Sequence, residues 1–139
     1  MSKPAASADR HRRTRNDHAQ ETAEDYVEAI AEMIAADGRC RVVDLARQFD
    51  VSHVTVSKVV ARLRREGLVK PDAYAPLELT TAGRKLANES RRRHETVYQF
   101  LRAIGVSQRT AEIDTEGIEH HVSPQTLECF RRLTERLER

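Results

Sequence analysis

Tryptophan is absent from this chain, and aromatic residues fill only 4% of its 139 positions, so its core has to be aliphatic and helical. Cysteine is scarce too. Cys40 and Cys129 stand far apart and outside any CxxC spacing, which excludes a zinc ribbon and a disulfide framework and points to a reducing, intracellular home. No run of about 18 apolar residues occurs, and the N-terminus lacks the apolar segment of a secretory signal; neither a membrane span nor a leader is expected, and the expected localisation is cytoplasmic. Charge of one sign is also missing: 24 Lys+Arg against 22 Asp+Glu leave +2, so the distribution of charge says more about partners than its total. No Ser-His-Asp order, glycine-rich phosphate loop or organic-substrate pocket is visible, and a non-enzyme is expected. What is present, 39% apolar and 33% charged residues, suits one compact unit or two small subdomains.

Residues 1–20 carry Arg10, His11, Arg12, Arg13 and Arg15 without apolar periodicity. They read as a disordered basic tail, either solubilising or adding phosphate contacts on DNA. From Glu21 to Ala36, apolar Tyr26, Val27, Ile30, Met33 and Ile34 recur at helical steps up to a stop at Asp37-Gly38. Asp25 and Glu28 lie one turn apart on this helix, and serve either as acids favoured by the helix dipole or as metal ligands.

Residues 42–49 predict a short helix, Asp50-Val51-Ser52 a turn ending in an N-cap, and residues 53–66 a second helix. Val56, Val59, Val60 and Leu63 face inward on it, and Lys58, Arg62, Arg64 and Arg65 outward. This is a helix-turn-helix pattern. Its second helix opens Ser52-His53-Val54-Thr55-Val56-Ser57-Lys58, whose short hydroxyl side chains can approach base edges and phosphates. After Gly67, residues 68–70 and 77–79 flank a Pro- and Ala-containing turn, which predicts a two-stranded hairpin and hence a winged variant. The DNA-binding domain is accordingly assigned to residues 21–80 and a helical domain to 81–139.

Thr80 or Thr81 caps a long helix that runs to about Ile104, with Gly105 as its stop. His94 on it reads as a surface histidine or a ligand. Ser107 caps the next helix, where Glu116, Glu119 and His120 stand at i, i+3 and i+4 and share one face. That face is either a solvated acidic patch or a patch awaiting a divalent cation. Gly117 within it suggests close approach of a backbone or an ion. Ser123-Pro124 opens a last helix with Leu127, Phe130, Leu133 and Leu137 in one stripe, suited to packing within the subunit or against a second copy, and Cys129 reads as a small apolar residue packed beside it.

Five stretches in this order, Glu24-Asp25-Tyr26-Val27-Glu28, residues 50–58, Leu79-Thr80-Thr81-Ala82-Gly83, Arg93-His94-Glu95 and residues 116–123, give the chain its likeness to a family. Over about residues 21–137 it resembles the metal-dependent repressors of the diphtheria toxin repressor type, in particular their manganese transport regulator branch. The resemblance implies a mainly α fold, an N-terminal winged helix-turn-helix followed by a C-terminal helical dimerisation domain. It implies a metal site of Asp25, Glu28, His94, Glu116, Glu119 and His120, with Glu28 bridging if two ions bind. Where iron-responsive members have a methionine and a cysteine, this chain has Asp25 and Glu116, an oxygen-rich set that suits manganese(II), with iron(II) the alternative. The resemblance further implies a homodimer on palindromic double-stranded DNA, with Ser52, His53, Val54, Thr55, Ser57 and Lys58 at the operator. His53 and Val54 depart from the small residue and proline common at those positions, and no extension for an SH3-like domain follows.

The expected function is therefore a manganese(II)-responsive repressor of manganese uptake genes, in which the metal orders the dimer for operator recognition. A rival from another class is a helical metalloenzyme. A di-iron bundle needs two Glu-x-x-His motifs, and none is present.

Overall fold

The computed structural model describes residues 3–72 and 75–139, with side chains described for all of these except residues 3–6, 9 and 13–17. Among the described residues it contains helices α1 (Lys3–Asp37), α2 (Val42–Phe49), α3 (His53–Arg65), α4 (Thr81–Ala103), α5 (Gln108–Ile118), a 3-10 turn (Glu119–His121) and α6 (Pro124–Leu137). None of these helices is long and apolar enough to cross a membrane. The chain divides into two compact units, His18–Asn88 and Glu89–Arg139, the latter together with the start of α1 up to Asp17.

The tail expected to be disordered is corrected: residues 3–20 continue α1 as helix. Alanine, arginine and glutamine there are good helix formers, no glycine interrupts them, and Pro4 sits in the first turn, where its missing N–H costs nothing. Once α1 is nucleated by its packed part, adding residues is inexpensive without any apolar period.

In the unit His18–Asn88, α1, α2 and α3 close one aliphatic core. Val27, Ile30, Leu45, Val56, Val60 and Leu63 are buried in it, and each large aliphatic side chain contributes roughly 1.5–3 kcal/mol. Tyr26 and Phe49 stack at 4.5 Å between ring centroids. Asp50 makes the tight turn between α2 and α3 in a left-handed conformation, φ 52°, which short polar side chains tolerate better than most. Ser52 then caps α3, its Oγ accepting from Thr55 N–H at 3.1 Å.

The expected hairpin is present in its smallest form, a single antiparallel bridge between Val69 and Leu79. Lys70 N–H donates to the Glu78 carbonyl at 2.9 Å and Leu77 N–H to the Cys40 carbonyl at 2.7 Å, which ties the wing to the loop after α1. Thr80 caps α4, accepting from Gly83 N–H at 3.0 Å. A Cβ at Gly83 would stand 2.1 Å from the Leu68 carbonyl oxygen, so the wing lies directly on the first turn of α4. This packing, with Ala87 buried and Leu86 half-buried in the same core, carries the unit to Asn88 rather than to the expected residue 80.

In the other unit, Val97, Leu101 and Ala111 are buried, and Phe100 stacks on Phe130 at 4.0 Å, so α4, α5 and α6 share a second core. The α6 stripe divides: Leu127 and Phe130 pack inward, while Leu133 and Leu137 stay 39% and 51% exposed. Cys129, expected to pack, is exposed instead, because Phe130 takes the inward direction and its neighbour in sequence is turned about 100° away. Arg131 donates twice to Glu128 and, with Arg132 adding to the attraction, holds that carboxyl down at about 2.

Candidate metal centre

Three local devices build the site in the unit Glu89–Arg139. Ser107 starts α5, accepting from Thr110 N–H at 3.3 Å. At its other end α5 stops at Ile118, and residues 119–121 tighten into a 3-10 turn before Val122 becomes extended. Gly117 weakens the helix there, and Ser123, being followed by a proline, is driven to extended backbone. Ser123 then caps α6, accepting from Thr126 N–H at 3.1 Å. Glu116, Glu119 and His120 were expected on one continuous helix. They straddle its end, and the Glu119 N–H still donates to the Thr115 carbonyl, so Glu116 and Glu119 keep a common side.

On that side stands His94 of α4. Its Nδ1 lies 3.6 Å from Glu116 Oε1 and 3.6 Å from Glu119 Oε2. One ligand atom from each of these three residues falls within 4.8 Å of the others, the spacing at which one cation can touch all three. His120 Nε2 lies 3.3 Å from Glu119 Oε1. Burial is graded, from 63% exposed at Glu116 through 29% at His94 to 2% for the His120 side chain and 1% at Glu119.

Glu119 is the anomaly. Its Oε2 is buried and has no hydrogen-bond partner among the described residues. A carboxylate oxygen withdrawn from water without a hydrogen bond costs roughly 1–3 kcal/mol or more, and positive charge beside it is the general remedy. A divalent cation fits this donor set of two carboxylates and one or two imidazoles, in which oxygen dominates and no thiol takes part. Asp25 and Glu28, the remaining two expected ligands, are half-buried and lie one turn apart on α1 in the unit His18–Asn88. Gly117 makes no close approach: a Cβ built there meets nothing within 4 Å.

The second predicted surface is the start of α3. His53, Val54, Thr55, Ser57 and Lys58 are all exposed there, Val54 by 64%. Ser52 is exposed as well, but its oxygen is engaged as the helix cap and faces Thr55 Oγ1 at 3.0 Å. Sequence reasoning placed Arg62 and Arg64 outward with Lys58 and Arg65. The structure ties both into the unit: Arg62 donates to the Ala19 carbonyl, and Arg64 donates to the carbonyls of Lys70 and Asp72 at 3.2 Å each. No local pattern marks this, since the acceptors lie on other segments. Lys58 and Arg65 remain exposed on the helix.

Residues 18–77 match the family model described as the iron dependent repressor N-terminal DNA binding domain, and residues 80–139 match the iron dependent repressor metal binding and dimerisation domain. The transcriptional regulator MntR of Escherichia coli O157:H7 is 44% identical over 125 residues, covering 90% of this chain and 81% of that one. The HTH-type transcriptional regulator MntR of Lysinibacillus sphaericus is 38% identical over 115 residues, 83% of each. Among solved structures, a manganese-dependent transcriptional repressor in complex with manganese is similar at a TM-score of 0.73 and 26% identity, over 81% of this chain and 52% of that one. The chain spans about half the length of the solved regulators it matches.

Proposed function

The chain belongs to the iron dependent repressor family, and from that premise we propose that it is a manganese(II)-responsive transcriptional regulator that binds double-stranded DNA as a homodimer. One observation carries the metal half of this reading: the buried Glu119 carboxylate, one oxygen without a hydrogen bond, converges with Glu116 on the His94 imidazole. His94, Glu116 and Glu119 would hold the ion, with His120 beside them; the proposed ligand set also takes in Asp25 and Glu28. A bound ion would supply positive charge where two carboxylates, Glu116 and Glu119, meet the imidazoles of His94 and His120. The oxygen-rich donors favour manganese(II) over the late, sulfur-seeking metals, and both cysteines lie outside the group.

The DNA half rests on the exposed opening of α3, where Lys58 offers a phosphate contact and His53, Val54, Thr55 and Ser57 offer side chains short enough to lie against base edges. The regulated quantity is the coupling between the two ligands. A coupling of about 1–3 kcal/mol makes metal change operator affinity roughly 5- to 150-fold, and operator tightens metal by the same factor.

Fluorescence anisotropy of the protein on labelled DNA from upstream of manganese-transporter genes tests this reading, with manganese(II), with anaerobic iron(II) and with chelator. Binding that rises at least fivefold with manganese and less with iron is expected. Equal binding in chelator would overturn it, and stronger activation by iron would reassign the metal.

A further inference from the structure

The inward face of α5 carries Ala111 and Thr115, and Glu119, just past the helix end, continues the four-residue step; all three are buried. Thr115 is fully buried, and its Oγ1 has no hydrogen-bond partner among the described residues. Two other helical threonines behave differently. Thr134, buried on α6, donates to the Phe130 carbonyl four residues back at 2.7 Å, and Thr22 on α1 donates to the His18 carbonyl at 2.9 Å. That back-bond is the usual way for a helix to satisfy a hydroxyl it has taken out of water. Thr115 does not use it.

A buried hydroxyl without a partner costs roughly 1–3 kcal/mol, and valine, of nearly the same shape, would carry no such cost. One turn further along the same face is another buried atom without a hydrogen bond, Glu119 Oε2. The backbone bond from Glu119 N–H to the Thr115 carbonyl keeps the two residues in helical register, and side chains four apart on a helix are within reach of each other. One atom can donate and the other can only accept. Two polar atoms of complementary type, both buried without a hydrogen bond and one helical turn apart, are better explained by a shared task than by two separate losses.

We infer that Thr115 is a positioning residue for the metal centre: with the ion bound, its hydroxyl donates to the Glu119 carboxylate and fixes the oxygen that is turned to the ion. This rests on the proposed function above, and it adds a residue outside the six ligands. Hydrogen bonds to a ligating carboxylate set its orientation and basicity, and their removal usually lowers metal affinity 10- to 100-fold. Thr115 is thus a determinant of affinity that touches neither the ion nor the DNA.

The test is a manganese(II) titration of the full chain, reading free manganese by electron paramagnetic resonance, together with the melting temperature of the metal-free protein. T115V is expected to bind manganese at least tenfold more weakly while its metal-free melting temperature stays level or rises. T115S, which keeps the hydroxyl, is expected to bind within about threefold of the natural chain. Manganese affinity of T115V equal to that of the natural chain would overturn the role of Thr115 and leave the metal-site reading standing. A metal-free melting temperature that falls in T115V alongside the affinity would assign Thr115 to packing and likewise overturn it. A natural chain that takes up no manganese would overturn both.

Discussion

Glu119→Gln should make the metal-free protein more stable and the metal response disappear, two effects of opposite sign from one substitution. The carboxylate is 1% exposed, and one of its oxygens lacks a hydrogen-bond partner among the described residues. An unsatisfied buried acceptor costs about 1–3 kcal/mol, more when charged, and glutamine removes the charge at almost constant volume. A gain of about 1–2 kcal/mol is therefore expected without metal, which for a chain of this size is roughly 3–5 °C in melting temperature per kcal/mol. In the natural protein, manganese at a hundred times its dissociation constant should add about 2.7 kcal/mol, since the ion binds the folded state alone. The variant should lose that increment. Scanning calorimetry of both proteins, each with chelator and with manganese, reads all four quantities. Two results would refute the reasoning: a variant that keeps the full manganese increment, or one that melts well below the natural chain in chelator. The first would remove Glu119 from the ligand set, and the second would mean that its carboxylate is held by interactions that outweigh its desolvation.

Gly83→Ala should destabilise by about 1–3 kcal/mol in urea unfolding, because the added Cβ would meet the Leu68 carbonyl oxygen at 2.1 Å and the wing would have to shift. Alanine's helix propensity would recover less than about 1 kcal/mol of this, so a stabilised variant would mean the wing does not rest on α4 as described. Burial, with the Asp44 carboxylate adding to it, pushes the Cys40 thiol up to about 11 from a usual 9.0. The unfolded chain then sheds this proton at lower pH than the folded one, so stability is full below about pH 9 and falls as pH rises towards 11. Urea midpoints measured across that range should fall more steeply for the natural chain than for Cys40→Ala; parallel slopes would contradict the assignment.

Much of the fold was legible because it is written in local signals. The turn Asp50-Val51-Ser52, the caps Ser107 and Ser123, and the stops at Gly67 and Gly105 each act within a few residues, and the structure places helix ends at all of them. The convergence of Glu116 with Glu119 was also local, a matter of helical spacing. The burial of Glu119 against the exposure of Glu116 was not, because it depends on where α4 brings His94, more than twenty residues away. Arg62 and Arg64 were misread for the same reason. Their spacing says only that they point outward from α3, whereas the carbonyls of Ala19, Lys70 and Asp72 that engage them belong to segments distant in the chain.

The sequence by itself determined the main helices, the helix-turn-helix and, through five ordered stretches, the family. Propensity, capping and periodicity are properties of neighbours along the chain. Only the tertiary structure decided that residues 3–20 continue α1, that Cys129 lies in the open, that the helix bearing Glu116 ends before Glu119, and that Glu119 and Thr115 are buried with polar atoms unsatisfied. Burial is set by what other segments cover, and that information is spread over the whole chain.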